Sequence, residues 1–194
     1  MKRIGLTGGI GSGKSFIAQI IEHMGYPVYY SDARAKELTK SNPSIKTGLI
    51  SLFGEEVYEG NKLNAKLIAS KIFHNDELRK KVNELIHPIV RADFENWALN
   101  QNSELVFNEA AILFETGSYR NFDAIVLVCA PIELKIERVM NREKSSREAV
   151  LERMSKQWSD EDKMKLTDYS ILNDNQTPIL IQLEEIINNL LSKQ

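Results

Sequence analysis

Apolar positions along this chain fall into two rhythms, short continuous runs and spaced stripes, and their order predicts the elements. Lys2-Arg3-Ile4-Gly5-Leu6-Thr7 is a short, mostly apolar run that reads as a strand. Phe16, Ile17, Ile20, Ile21 and Met24 then recur at helical spacing, and Gly25 supplies the stop. Pro27-Val28-Tyr29-Tyr30 reads as a second strand, and Ser31 and Asp32 are N-cap residue types ahead of a helix through Ala33, Ala35 and Leu38. Residues 41–102 carry no strong strand of the sheet type. Helices are expected near 44–53, 64–73, 76–86 and 88–100, with turn residues Gly60 and Asn61 between the first two. Continuous apolar runs resume at 104–108 and 124–130, the pattern of strands buried on both faces of a parallel sheet. Pro131 opens a helix carrying Ile132, Leu134, Ile136, Val139 and Met140. Residues 141–165 are rich in Arg, Lys and Glu and short of large apolar side chains. A short strand near Tyr169–Leu172 precedes a last helix with Ile179, Leu180, Leu183, Ile186, Ile187 and Leu190.

Strands alternating with helices predict a doubly wound α/β core with right-handed crossovers. That core is expected to comprise residues 1–32, 103–140 and 166–194. A helical insertion would occupy 33–102, and a small polar segment 141–165.

Composition narrows the picture. The chain has 194 residues, 42% hydrophobic and 27% charged, enough for one core plus insertions. A formal net charge of −2 gives no footprint for nucleic acid or an anionic membrane, so phosphate recognition has to be local. Cys129 is the only cysteine and sits in an apolar run, so a buried core residue in a reducing compartment is expected, with no intramolecular disulfide. No apolar stretch approaches ~20 residues, and the first residues show no signal-peptide pattern. A soluble cytoplasmic protein is the expectation.

The chemistry begins between the first strand and the first helix. Gly8-Gly9-Ile10-Gly11-Ser12-Gly13-Lys14-Ser15 fits G-x-x-x-x-G-K-[ST], with Gly8 and Gly13 as the spaced glycines. Residues without Cβ let the backbone curl and bring several N–H groups close to a polyphosphate. Lys14 can reach the β- and γ-phosphates, and the Ser15 hydroxyl can ligand Mg²⁺. The helix N-terminus adds partial positive charge. Nucleotide binding follows from a phosphate loop in this setting.

Other candidates are less specific. Asp32 follows the second strand, at the end where open α/β sheets bind ligands. It could orient and deprotonate an acceptor hydroxyl, help hold Mg²⁺, or simply cap a helix. Glu109 ends the third strand on the same edge, suited to a Mg²⁺-bound water or a substrate contact. Asn108 interrupts the apolar run, so this is not the usual Walker B. Glu115, after Ala110-Ala111-Ile112-Leu113-Phe114, reads most simply as helix-terminal. Arg138, Arg142, Arg147 and Arg153, with Lys144 and Lys156, form a basic cluster after a core helix. Guanidinium forks match the charge that develops on a moving phosphoryl group. A mobile segment carrying them could close over ATP and exclude water. Interleaved Glu137, Glu143, Glu148 and Glu152 fit a solvated face equally. Arg142 is the favoured functional member because it sits where the core helix gives way to the polar segment. His87, between Leu85-Ile86 and Pro88, reads as a helix-boundary or core residue. Three histidines and one cysteine show no metal-ligand spacing, and no zinc site is expected.

These elements, in this order, resemble the dephospho-CoA kinase family across nearly the full chain. The stretch Ile4-Gly-Leu-Thr-Gly-Gly-Ile-Gly-Ser-Gly-Lys-Ser15 is close to the family's opening. Asp32 falls at the second Asp of its Asp-x-Asp element, and His87-Pro88 matches its His-Pro element. Ile112-Leu-Phe-Glu115 resembles the end of Pro-Leu-Leu-Phe-Glu. Arg138-x-x-x-Arg142 and Arg153-x-x-x-Gln157 resemble the lid pattern, and Ile171-x-Asn173 the late loop near the adenine. Two positions depart from the family: Tyr30 stands at the first Asp, and Ala111 at the Pro.

The resemblance implies a P-loop, nucleotide-kinase-like three-layer α/β fold with a parallel central sheet, a helical substrate-binding insertion and a small helical lid. It implies transfer of the ATP γ-phosphoryl to the ribose 3′-hydroxyl of dephospho-CoA. Gly8, Gly9, Gly11, Ser12, Gly13, Lys14, Ser15 and Phe16 would hold ATP together with Arg138 and Asn173, with Ser15 on Mg²⁺. Lys14, Asp32 and Arg142 would be catalytic. Thr7, His87, Glu109 and Glu115 would lie on the acceptor side, with the insertion holding the pantetheine arm. A monomer or weak homo-oligomer is expected. The alternatives are another nucleoside or nucleotide monophosphate kinase, or a nucleotide-dependent switch. Against a GTPase switch, the chain has neither an Asn-Lys-x-Asp nor an Asp-x-x-Gly motif.

Overall fold

Strand β1 (Lys2–Thr7) lies in the middle of a five-stranded sheet, of order β2-β5-β1-β6-β7, in a computed structural model that describes residues 1–60, 62–73 and 75–192. It pairs with β5 (Leu105–Glu109) and β6 (Ala124–Cys129), while β2 (Val28–Tyr30) pairs with β5 and β7 (Tyr169–Leu172) with β6, and every pairing is parallel. Alternation explains the centre. Ile4 and Leu6 point to one face, where they share a core with Ile17, Ala18 and Ile21 of α1 (Lys14–His23) and Leu183, Ile186, Ile187 and Leu190 of α9 (Ile179–Ser192). On the other face Ile125 and Leu127 pack with Leu113 and Phe114. At Gly5 a Cβ would come within 2.6 Å of the Ile125 side chain and 2.9 Å of Leu113, so the second face closes down on bare backbone. This is the parallel α/β fold expected from the sequence.

Parallel strands end on one edge. Here β1 runs into the phosphate loop, β2 into α2 (Ser31–Ser41), and β5 stops at Glu109. From the same edge β6 leads through Pro131 to α6 (Ile132–Glu143), and β7 to Asn173. Ligands bind at this edge in open α/β sheets. The polar stretch after α6 is ordered as α7 (Arg147–Met154) and α8 (Asp160–Met164). Ser146 caps α7 by accepting from the Ala149 N–H at 3.3 Å. Val150 joins Ile136 and Val139 of α6 in a small core that Ile10 also touches. Cys129, expected in the core, is only half-buried. Burial pushes its thiol up to about 11, with Asp160 adding to the effect, so it stays protonated.

The chain divides into two compact units, residues 1–30 with the chain from Gln101 onward, and Ser31–Asn100. Both cuts fall two residues ahead of the expected insertion boundaries. The second unit contains α2, α3 (Pro43–Phe53), a hairpin of β3 (Tyr58–Glu59) and β4 (Lys62–Leu63), α4 (Ala65–Phe73) and α5 (Asp76–Leu99). The hairpin departs from the all-helical insertion expected from the sequence, with its turn at the expected turn residues. Gly60 sits there with φ 63°, and Asn61 lies outside the described residues. Asn42 caps α3 by accepting from the N–H groups of Ser44 and Ile45. Ile45, Leu49, Phe53, Val57, Ile68 and Val82 form the core. Arg34 makes a forked pair with Asp93, at 2.7 and 3.1 Å, that ties α2 to α5.

One expectation fails here. Residues 76–86 and 88–100 form a single helix that runs through Pro88, so His87 is mid-helix rather than at a boundary. Proline deletes the N–H that would donate to the Glu84 carbonyl but leaves the rest of the ladder. Burial on both sides of it, Val82 before and Val90, Phe94 and Ala98 after, outweighs that local loss. Pro88→Ala restores the missing donor, while giving back the unfolded-state restriction that proline imposes. The variant is expected to be more stable by about 1–2 kcal/mol in urea unfolding.

No helix among the described residues is long and apolar enough to cross a membrane.

Candidate active site

The phosphate loop is built from what its sequence omits. Gly11 has φ 80° and Gly13 φ 91°, the left-handed region that costs a residue with a Cβ. A Cβ at Gly11 would also press into the Lys135 backbone carbonyl of α6, and one at Gly13 into the Asn173 carboxamide. The curl leaves the N–H groups of Gly11, Gly13, Lys14 and Ser15 without an acceptor among the described residues. At the head of α1, these are the groups that cradle an anion.

Neighbouring elements hold the loop from outside. The Asn173 Nδ2 donates to the Ser12 carbonyl at 2.8 Å. Arg138 Nη1 donates more weakly to the carbonyls of Ser12 and Gly11 at 3.4 and 3.5 Å. Its Nη2 reaches the side-chain oxygens of Asn173 (3.3 Å) and Asn175 (2.6 Å). The Ile10 N–H donates to Gln157 Oε1 at 2.9 Å. Asp160, paired with Lys135 at 2.7 Å, lies over Gly9.

Inside the cradle, two groups converge on one carboxylate. Glu109, only 4% exposed, accepts from the Ser15 hydroxyl at 3.1 Å and lies 3.4 Å from Lys14 Nζ. A buried carboxylate needs such partners. A hydroxyl and a carboxylate side by side are hard oxygen donors of the kind Mg²⁺ takes, the remaining positions being filled by water and phosphate oxygens. The donor set therefore fits Mg²⁺. Glu109 also faces Tyr30 across the β2–β5 register. Burial, and after it the 2.7 Å hydrogen bond to Glu22, holds the Tyr30 phenol well above its ordinary range. Tyr30 is thus a donor and not a second base where the family pattern has Asp.

Not all expected residues gather there. Thr7 is fully buried with no hydrogen-bond partner for its hydroxyl among the described residues, so an acceptor molecule does not reach it in this conformation. Phe16 points its ring into solvent, 55% exposed, and contributes to the loop by its backbone. Arg142 is exposed and paired with Glu143 at 2.5 Å, and Arg153 engages the same carboxylate. The arginine that meets the loop is Arg138, one turn earlier.

Glu115 is the clearest correction. It lies in the turns of residues 111–117 rather than at a helix end. Its Oε1 accepts the Trp158 N–H at 2.9 Å and pairs with Lys163 Nζ at 2.9 Å. Lys163 is completely buried. Nothing in a run of charged residues distinguishes the one lysine that will be enclosed, so Lys163 was not singled out. Lys135 and Asp160 escaped notice for the same reason.

Asp32 and His87 belong to the second unit. Asp32 is in the first turn of α2, two residues past the end of β2. Burial and the Arg91 charge push the His87 imidazole below its ordinary value of 6.5, and Asp32 partly offsets them.

Comparison with known proteins gives a consistent result. A family model described as Dephospho-CoA kinase matches residues 2–178. A dephospho-CoA kinase of Bacteroides fragilis (strain YCH46) is 40% identical over 192 residues, which is 98% of this chain and 94% of the relative. A Thermus thermophilus protein of known structure is similar with a TM-score of 0.84 and 34% identity, over 99% of this chain and 97% of the other. A dephospho-CoA kinase from Campylobacter jejuni gives 0.67 and 25%, over 97% and 95%.

Two tests follow from the buried charges. Glu115→Gln leaves Lys163 charged and enclosed, and should lower stability by about 3 kcal/mol in urea unfolding. The double variant Glu115→Gln/Lys163→Met removes the stranded charge and should recover most of that loss. For His87, the unfolded chain binds more protons than the folded one between the depressed value and 6.5, so stability rises with pH across that window. Lowering the pH through it should reduce the Tm of the wild type more than that of His87→Gln.

Proposed function

The chain belongs to the dephospho-CoA kinase family, and from that premise we propose that it transfers the γ-phosphoryl group of ATP to the ribose 3′-hydroxyl of dephospho-CoA, giving CoA and ADP. The observation that carries the reading is the convergence of Lys14 and Ser15 on buried Glu109, beneath a loop whose N–H groups at Gly11, Gly13, Lys14 and Ser15 have no acceptor among the described residues.

ATP is held by its phosphates. The N–H groups of Gly11, Gly13, Lys14 and Ser15 donate to phosphate oxygens, and the α1 dipole favours their charge. Glu109 keeps Lys14 in place by its charge, so the ammonium is positioned before the nucleotide arrives and loses little entropy on binding it. Ser15 and Glu109 would hold Mg²⁺, which when bound supplies neutralising charge to the β- and γ-phosphates.

Asp32 orients the acceptor hydroxyl and receives its proton as the new O–P bond forms and the bond from the γ-phosphorus to the bridging oxygen breaks, leaving ADP. Two points support Asp32 over Tyr30. It matches the family's second Asp, and the Tyr30 phenol is held protonated. Arg142, at the solvent end of α6, stabilises charge on the moving phosphoryl group once Glu143 is exchanged for it. Arg138 and Asn173 border the nucleotide while fixing the loop carbonyls. His87, which matches the family's His-Pro element, would contact the acceptor. Glu115 acts through Lys163 and Trp158 rather than by touching the acceptor.

Lys14→Ala is expected to reduce kcat by about 10²–10³-fold with an unchanged fold. Asp32→Asn should reduce kcat by about 10²-fold or more, with the KM for ATP little altered. Incubating the enzyme with labelled ATP and a panel of acceptors checks the substrate. Dephospho-CoA should be labelled fastest, and faster labelling of a nucleoside monophosphate would overturn the assignment.

A further inference from the structure

Two N–H groups of the cradle are not offered outward: that of Ser12 is taken within the loop by the Gly9 carbonyl at 3.0 Å, and that of Ile10 is taken from outside it. Ile10 sits between Gly9 and Gly11, and its N–H is taken by the protein's own Gln157 at 2.9 Å. A backbone N–H can only donate, so the carboxamide is turned with its oxygen to the loop. Residue 157 lies in the segment between α7 and α8, more than a hundred residues away in the chain. Its placement is over-determined. The next residue, Trp158, donates its N–H to Glu115 Oε1 at 2.9 Å. The Trp158 indole stacks on Phe114, with ring centroids 6.3 Å apart and planes 22° from parallel. Lys163, fully buried, pairs with the same Glu115 oxygen, and Asp160 pairs with Lys135, whose carbonyl abuts Gly11.

We propose that Gln157 is a positioning residue for the phosphate loop: by accepting from Ile10 it pins the loop's leading limb, so that the donors at Gly11, Gly13, Lys14 and Ser15 are aimed before ATP arrives. Glu115 acts through it, by fixing the backbone at Trp158 from which the Gln157 side chain extends. A loop with two left-handed glycines has many conformations, and tying down a N–H on the limb opposite Asn173 and Arg138 removes most of them. Residues 157–163 are therefore a strut under the cradle. Any closing motion in the charged segment is confined to residues before it, 144–156.

The inference rests on the loop being the ATP site, and its test separates the two. Gln157→Met keeps the length and bulk of the side chain and deletes the acceptor. It should raise the KM for ATP by about tenfold while the KM for dephospho-CoA and the Tm stay near wild type. Amide hydrogen exchange of the ligand-free protein should show Ile10 exchanging faster in Gln157→Met, with β1 unchanged. Glu115→Gln should raise the ATP KM in the wild-type background and add little in the Gln157→Met background. An unchanged ATP KM, an equal rise in both KM values, or unaltered exchange at Ile10 would each overturn the proposal. Lys14→Ala run alongside locates the failure. If it impairs ATP use and Gln157→Met does not, only the strut is wrong, whereas indifference to both removes the phosphate-site reading itself.

Discussion

A backbone that must present its N–H groups to a ligand cannot spend them on itself, and this constraint organises the first unit. The segment between β1 and α1 makes little ladder of its own beyond the bond from the Ser12 N–H to the Gly9 carbonyl, so its shape is held by hydrogen bonds to its carbonyls and to the Ile10 N–H. Those bonds come from Asn173 after β7, Arg138 on α6 and Gln157 beyond α7. The glycines answer the same need from the other side. Gly11 and Gly13 admit the Lys135 carbonyl and the Asn173 carboxamide to distances at which a Cβ would collide. Removing the side chains brings the supports close enough to work.

Charge burial follows from the same arrangement. Glu109 ends a strand enclosed on both faces, and Lys14 and Ser15, which open α1, reach its carboxylate. Lys14 and Ser15 therefore stabilise the carboxylate from the head of α1. Exchanging that pairing for substrate contacts costs less than desolvating unpaired charges at the moment of binding. Glu115 and Lys163 make a second enclosed pair. It holds the 157–163 strut against the sheet, because breaking it would strand a charge in the interior.

The parallel sheet is what lets these pieces meet. With all five strands running the same way, their ends at Thr7, Tyr30, Glu109, Cys129 and Leu172 share one edge. Residues remote in sequence arrive together there without any of them being locally unusual. Pro88 and Tyr30 show the limits of local rules. A proline did not end α5 because packing on both sides outweighed one lost hydrogen bond, and a tyrosine stands where a carboxylate is the family habit.

Periodicity and spacing alone determined the order of the five sheet strands and of the helices that follow them in the first unit, the parallel character of the sheet and the phosphate loop with Lys14 and Ser15. These depend on neighbours within a few residues, where backbone preference and side-chain rhythm are decisive. The ordered resemblance added Asp32 and the acceptor. Only the tertiary structure decided which charged residues are enclosed, that Arg138 rather than Arg142 meets the loop, that Glu115 serves Lys163, and that Gln157 holds Ile10. Those outcomes turn on which segments pack over which strand ends. Desolvation then selects partners from side chains that look interchangeable in a charged run, and no local pattern carries that information.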